Sequence, residues 1–89
     1  MAVTVYVLRS EHGGKRYVGI TNNLPKRLRE HAARRTKGGQ ILEGFALLHT
    51  EEFPDHASAR AREVFLKSST GRRWLDEFEA RTTDRAARR

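Results

Sequence analysis

The side chains of this chain whose types could do chemistry come in a definite order. Tyr6 and Tyr17 lie eleven residues apart, Arg27 follows ten residues after the second tyrosine, His31 comes one helical turn later, and Glu63 stands on a later alanine-containing stretch. Phenol and imidazole groups exchange protons, a guanidinium offers a planar fork of donors to a phosphate, and a carboxylate can hold a hard cation. Read one at a time, each has an ordinary structural explanation. Strand tyrosines pack, arginine and histidine decorate a basic helix, and Glu63 stands i,i+4 from Lys67. The ordered combination is what points to a site.

The elements that must position these groups follow from local pattern. Val3 to Leu8 is β-branched and aromatic, and a second such run covers Arg16 to Ile20 after a polar stretch containing Gly13-Gly14. This predicts a hairpin whose register is open by one residue: Tyr6 and Tyr17 share a face if they lie opposite, and point to opposite faces if the pairing slips. Thr21-Asn22-Asn23 offers N-caps and Pro25 suits a first turn, so a helix is predicted from Leu24 to about Arg35, ended by Gly38-Gly39. Leu24, Leu28 and Ala32 form its apolar stripe, with Arg27, His31 and Arg34 beside it. Phe45 to Thr50 reads as a third strand, apolar enough for a central position. Asp55 caps a second helix through about Ser68 with Ala57, Ala61, Val64 and Phe65 inward, and Thr70 caps a short last helix whose Trp74, Leu75 and Phe78 close the core. The order is ββαβαα.

With 89 residues, 37% of them hydrophobic and 33% charged, the chain suits one small folded domain over residues 1–79, followed by a basic tail at 80–89 expected to be disordered. No apolar run approaches a membrane span and no secretory pattern opens the sequence, so a cytoplasmic location is expected. The absence of cysteine rules out disulfides and thiolate metal cages, leaving oxygen or imidazole ligands and favouring a hard cation. A Walker loop, a paired-histidine zinc helix, an EF-hand loop and a Gly-x-Ser-x-Gly elbow are all missing. Eighteen basic against eleven acidic residues give a net charge of +7, which implies a polyanionic partner. The charge is also directional: residues 9–39 hold nine Lys or Arg against Glu11 and Glu30, whereas residues 40–79 hold five against eight acids.

Taken in order, these residues resemble the GIY-YIG nuclease family. The first tripeptide stands here as Val5-Tyr6-Val7 and the second as Tyr17-Val18-Gly19, followed by Ile20 to Leu28 with Arg27, then His31; Ala61 to Lys67 is similar to the family's metal-ligand helix. The resemblance spans roughly residues 3 to 75 and is nearest the small single-domain bacterial members. Two departures are visible: the first tripeptide lacks its glycine and isoleucine, and no asparagine follows Asn23, where many family members carry one near the end of the module.

The resemblance implies an α+β fold with a small, mostly antiparallel three-stranded sheet flanked by helices, and a metal-dependent endonuclease that hydrolyses DNA phosphodiesters with little sequence specificity. It implies Glu63 as ligand of one divalent metal, Mg²⁺ or Mn²⁺, and Arg27 on the scissile phosphate. Tyr6 or Tyr17 would take a proton from water through a lowered phenol pKa, with His31 assisting or competing; the choice among these bases stays open. The basic groups expected on DNA are Arg9, Lys15, Arg16, Arg34, Arg35, Lys37 and Lys67, with side-chain-free Gly19 letting the backbone approach. Flapped, branched and damaged DNA are equally compatible. The alternatives are a nucleic-acid-binding module of the same fold that cuts weakly or not at all, and a catalytic subunit that needs a protein partner on its acidic half.

Overall fold

The computed structural model describes residues 2–10, 14–33 and 44–87, with side chains through Arg81. Strands Val3–Ser10 (β1), Arg16–Thr21 (β2) and Phe45–Phe53 (β3) and helices Leu24–Ala32 (α1), His56–Lys67 (α2) and Ser69–Ala87 (α3) follow one another as ββαβαα. β1 pairs antiparallel with both other strands, giving the sheet order β2-β1-β3. The last helix continues to Ala87, across much of the segment where a disordered tail was expected.

Successive side chains on β1 point to opposite faces, and both faces are apolar. Val3, Val5 and Val7, with Val18 of β2, bury against Ala59 and Leu66 of α2 and Leu75 of α3. Tyr6 and Leu8 of β1 gather Tyr17, Leu24, Leu28 and Phe45 on the other face, the one covered by α1. The central position thus belongs to β1, not to β3, whose Leu47 is 45% exposed. A bulge explains the difference. Leu8 pairs with Leu47 but Val7 pairs with His49, so Leu48 is an extra residue that changes the phase of the strand. The apolar run is a switch of face within an edge strand, where the sequence suggested a strand covered on both sides.

Helix phase departs from the apolar stripes in the same way. Asn23 caps α1 by accepting from the Lys26 N–H, and Asp55 caps α2 by accepting from Ser58 N–H at 2.7 Å. Each helix then turns a polar residue inward: α1 buries His31 and leaves Ala32 exposed, and α2 buries Ala59, Glu63 and Leu66. Of the four residues expected inward on α2, Ala57, Ala61 and Val64 are exposed, Val64 by 58%, and Phe65 is half-buried.

Charges knit the layers together. Arg62 of α2 donates from Nε and Nη2 to the two Glu51 oxygens of β3 at 2.8 and 3.0 Å, while His49 Nε2 lies 2.8 Å from the same carboxylate. Burial pushes the Glu51 carboxyl up, but these hydrogen bonds outweigh it and hold the group below its ordinary range. Glu79 of α3 pairs with Arg9 at 2.6 Å and Arg16 at 3.0 Å, and Asp76 also pairs with Arg16. Arg9 and Arg16 are directly opposed across β1 and β2, and the α3 carboxylates offset that like-charge pairing.

A single residue joins α2 to α3. Ser68 ends α2, its Oγ donating to the Phe65 carbonyl at 2.5 Å, and the same Oγ accepts from the Gly71 N–H at 3.1 Å, so Ser68 caps α3 in place of the expected Thr70. The first turn of α3 therefore lies directly on the last turn of α2. A methyl on Gly71 would overlap the Phe65 carbonyl oxygen and come within 2.5 Å of Leu66 Cα, both backbone atoms that cannot swing aside. Helix propensity alone would make Gly71→Ala stabilising by up to about 1 kcal/mol, whereas this crowding should make it destabilising by about 1–3 kcal/mol. Urea unfolding of the variant reads the sign directly.

Candidate active site

Pairing fixes what the hairpin left open. Tyr6 lies opposite Gly19 and Leu8 opposite Tyr17, which places Tyr6, Tyr17 and Gly19 on one face, the two tyrosines as diagonal neighbours with ring centroids 6.2 Å apart. Gly19 is buried beneath the Tyr6 phenol. A Cβ built there would come within 2.5 Å of the Tyr6 oxygen and 3.1 Å of Tyr17 Cε1, so the missing side chain makes room for these rings, where the sequence suggested an opening for the DNA backbone.

α1 brings two groups onto this face. His31, 1% exposed, sets Nε2 3.0 Å from the Tyr6 hydroxyl, and its ring meets Tyr6, Tyr17 and Phe45 edge-on at centroid distances of 5.7, 5.2 and 5.9 Å. Burial is the main reason that the imidazole pKa falls below its usual value, with the Arg27 charge acting in the same direction. The Tyr6 phenol is pushed up, first by burial and then by Tyr17, with Arg27 opposing and Glu63 adding. The lowered phenol pKa expected from sequence is thus reversed at Tyr6. Both partners are held neutral, an arrangement satisfied when the phenol donates to an unprotonated Nε2 and the imidazole proton sits on Nδ1.

Arg27, one turn before His31, is partly exposed. Among the described residues its ion pair is a long one, Nη1 to Glu30 Oε1 at 3.8 Å, and its Nε is buried without a hydrogen-bond partner. A guanidinium so loosely held keeps donors available for an anion. Glu63 comes from α2 on the opposite face, 6% exposed, accepting from Arg60 Nη1 at 3.2 Å and Lys67 Nζ at 3.1 Å. Its charge adds only the smallest of the causes that raise the Tyr6 pKa. β2 is an edge strand, with Tyr17 on the α1 face and Val18 on the α2 face.

The residues expected on DNA divide differently. Lys15 and Lys67 lie at the surface beside Tyr17, whereas Arg9 and Arg16 are engaged by Glu79 and Asp76. Arg34, Arg35 and Lys37 lie outside the described residues. The sequence reading missed the burial of His31 and Glu63; the signal available was their i,i+4 spacing from Arg27 and from Ala59 and Lys67, which periodicity assigned to solvent.

As to acidity, an unfolded histidine takes a proton as pH falls through about 6.5, while buried His31 resists it because its folded pKa is lowered. Stability should therefore be lost as pH falls below that value, by at most about 1.4 kcal/mol per pH unit until the folded pKa is reached. The Glu51 contribution belongs to a lower window, since its folded pKa is depressed within the carboxylate range. Thermal unfolding between pH 5 and 7.5 should show the loss in the parent and a flattened profile in His31→Gln; parallel profiles would refute the assignment.

Comparison with known proteins bears on the family and the fold. The family model of the GIY-YIG catalytic domain matches residues 2–76. Among solved structures, the chain is similar to a UPF0213 protein from Bacillus halodurans determined by NMR, with 27% identity, 88% of this chain and 85% of that one covered, and a TM-score of 0.54. No curated protein matches the chain significantly. With a match over most of its length and the tyrosines, arginine, histidine and glutamate in the order described, the chain belongs to the GIY-YIG nuclease family.

Proposed function

We propose that the chain is a divalent-metal-dependent endonuclease that hydrolyses DNA phosphodiesters with little sequence preference of its own. The observation that carries the reading is the cluster on the α1 face of the sheet, where Tyr6 and Tyr17 pack against His31, whose Nε2 lies 3.0 Å from the Tyr6 hydroxyl, and where Arg27 stands one turn before His31. A proton-handling pair lies beside an anion-binding fork, and a buried carboxylate, Glu63, stands on α2 across the sheet.

The donor set selects the kind of metal. Among the described residues there is no group of three or more His, Cys, Asp or Glu that could cage an ion, which argues against zinc, with its three or four protein ligands. One carboxylate suits Mg²⁺ or Mn²⁺, since Mg²⁺ keeps most of its water and takes phosphate oxygens. Arg60 and Lys67, 70% and 54% exposed at the side chain, are long and can yield the Glu63 oxygens. Such an ion would supply Lewis-acid stabilisation of the phosphate and a more acidic water.

The chain's own residues do the remainder. Arg27 binds the non-bridging oxygens and stabilises charge that develops on them. Tyr6, with its raised pKa, is a poor acceptor alone, but a proton arriving at its oxygen can be passed on to His31 Nε2, which burial keeps unprotonated. Tyr17 stands at the same edge and remains the other acceptor. Exposed Lys15 and Lys67 contribute affinity through phosphates without reading sequence. The engagement of both Glu63 oxygens by cations is the observation that favours the second reading, a DNA-binding module that cuts slowly.

Glu63→Gln removes the ligand charge at nearly constant volume. Nicking of supercoiled DNA with Mg²⁺ or Mn²⁺, controlled with EDTA, should be lost in this variant while folding and DNA affinity persist; undiminished nicking would eliminate the site. Were Glu63 only a partner of Arg60 and Lys67, the change would lower stability and leave the rate per folded molecule unchanged. Arg27→Ala should lower turnover by far more than affinity, and Arg27→Lys should restore little, because a point charge does not reproduce the fork. Equal kinetics for Arg27→Lys and the parent would remove Arg27 from the reaction.

A further inference from the structure

A cavity of about 450 Å³ opens between the start of β2 and the junction of α2 with α3. This lies within the roughly 300–1,000 Å³ typical of small-ligand sites. Val18, Leu66 and Leu75 lie buried beneath it, and the half-buried Tyr17 supplies its open apolar wall. Its rim carries Lys15, Arg16, Lys67 and Arg72, and no carboxylate of the described residues lines it. Arg16 is held by Asp76 and Glu79, and Lys67 by Glu63. Lys15 and Arg72 have no ion-pair partner among the described residues, and Arg72 stands in the first turn of α3, where the positive end of the helix dipole adds to its charge.

An apolar wall beside two cations without ion-pair partners, Lys15 and Arg72, fits a ligand with a flat apolar body and an anionic group. A bare phosphate would leave the wall unused, and a neutral apolar molecule would leave the cations unused. The position narrows the class further. Tyr17 lines the cavity and also touches the His31 ring, and Lys67 on the rim also pairs with Glu63, so the cavity adjoins the site without overlapping Tyr6, His31 or Arg27. A strand passing over the β2 edge would bring a neighbouring nucleotide to its mouth.

We propose that this cavity is a subsite for one unstacked nucleotide of the bound strand, its base against the Tyr17 ring above Val18 and its phosphate on Lys15 and Arg72. The identity of the ligand as a nucleotide rests on the nuclease reading, but binding there does not require cleavage. A base held in this way is withdrawn from its stack, so the subsite would add affinity for DNA in which a nucleotide is already free to leave the helix.

The test uses the full chain, isotopically labelled for NMR and kept in EDTA so that no metal-dependent cleavage intervenes. Deoxythymidine monophosphate, thymidine and inorganic phosphate are titrated separately. The monophosphate should shift the amide signals of Lys15, Tyr17, Val18 and Arg72 and bind about tenfold or more tightly than phosphate or thymidine. Arg72→Glu and Lys15→Glu, on different elements, should each weaken it several-fold; a glutamate in the first turn of α3 suits the helix dipole, so the fold should hold. Shifts confined to Arg27 and His31, equal binding of phosphate, or affinity indifferent to both variants would overturn the subsite. Nucleotide binding with no Glu63-dependent nicking would sink the nuclease reading and leave the subsite standing. Nicking without nucleotide binding would do the reverse.

Discussion

Everything in this molecule hangs on β1, the strand that is paired along both edges and covered on both faces. Val5, Val7, Tyr6 and Leu8 are each at most 1% exposed, so consecutive residues must satisfy two different cores. In a chain of 89 residues the buried fraction of the surface is small, and one doubly buried strand is an efficient way to give both faces something to pack on. It also sets the register of β2 and, through its bulge, the change of face in β3. A slip of one residue in β1 would exchange the two cores wholesale.

The candidate site is a consequence of that arrangement. Tyr6 belongs to the core by burial and to the site by its hydroxyl, and the absence of a side chain at Gly19 is what lets its ring lie flat enough to meet His31. Burial raises the phenol pKa and lowers that of the imidazole, so the hydrogen-bonded pair is held neutral, with the proton on the phenol. Arg27 and Glu63 come from helices on opposite faces of the sheet, Arg27 from α1 over the Tyr6 face and Glu63 from α2 over the Val5 and Val7 face.

Charge is distributed by the same logic. The contrast between a basic first half and an acidic second half suggested a directional field, yet much of it is spent within the molecule. Glu51 is held by Arg62 and His49, Glu79 and Asp76 by Arg9 and Arg16, and Asp55 caps a helix. The cations left at the surface near Tyr17, Lys15 and Arg72 above all, are the ones that the acidic half does not reach. A count of charges along the chain overstates the footprint, because pairing across elements is invisible to it.

Local pattern determined the order of elements, a cap among Thr21 to Asn23, the cap at Asp55 and the hairpin, and the ordered set Tyr6, Tyr17, Arg27, His31 and Glu63 pointed to the family. These are legible because capping, β-branching and motif spacing act over a few residues. Only the tertiary structure decided which strand is central, which face each helix turns inward, and where Ser68 rather than Thr70 caps α3. The reason is the same in each case. Apolar periodicity assumes that burial is apolar, but His31 and Glu63 are buried because Tyr6, Arg60 and Lys67 on other turns and other elements satisfy them, and Leu48 faces a core its alternation does not predict because the bulge is set by pairing with β1.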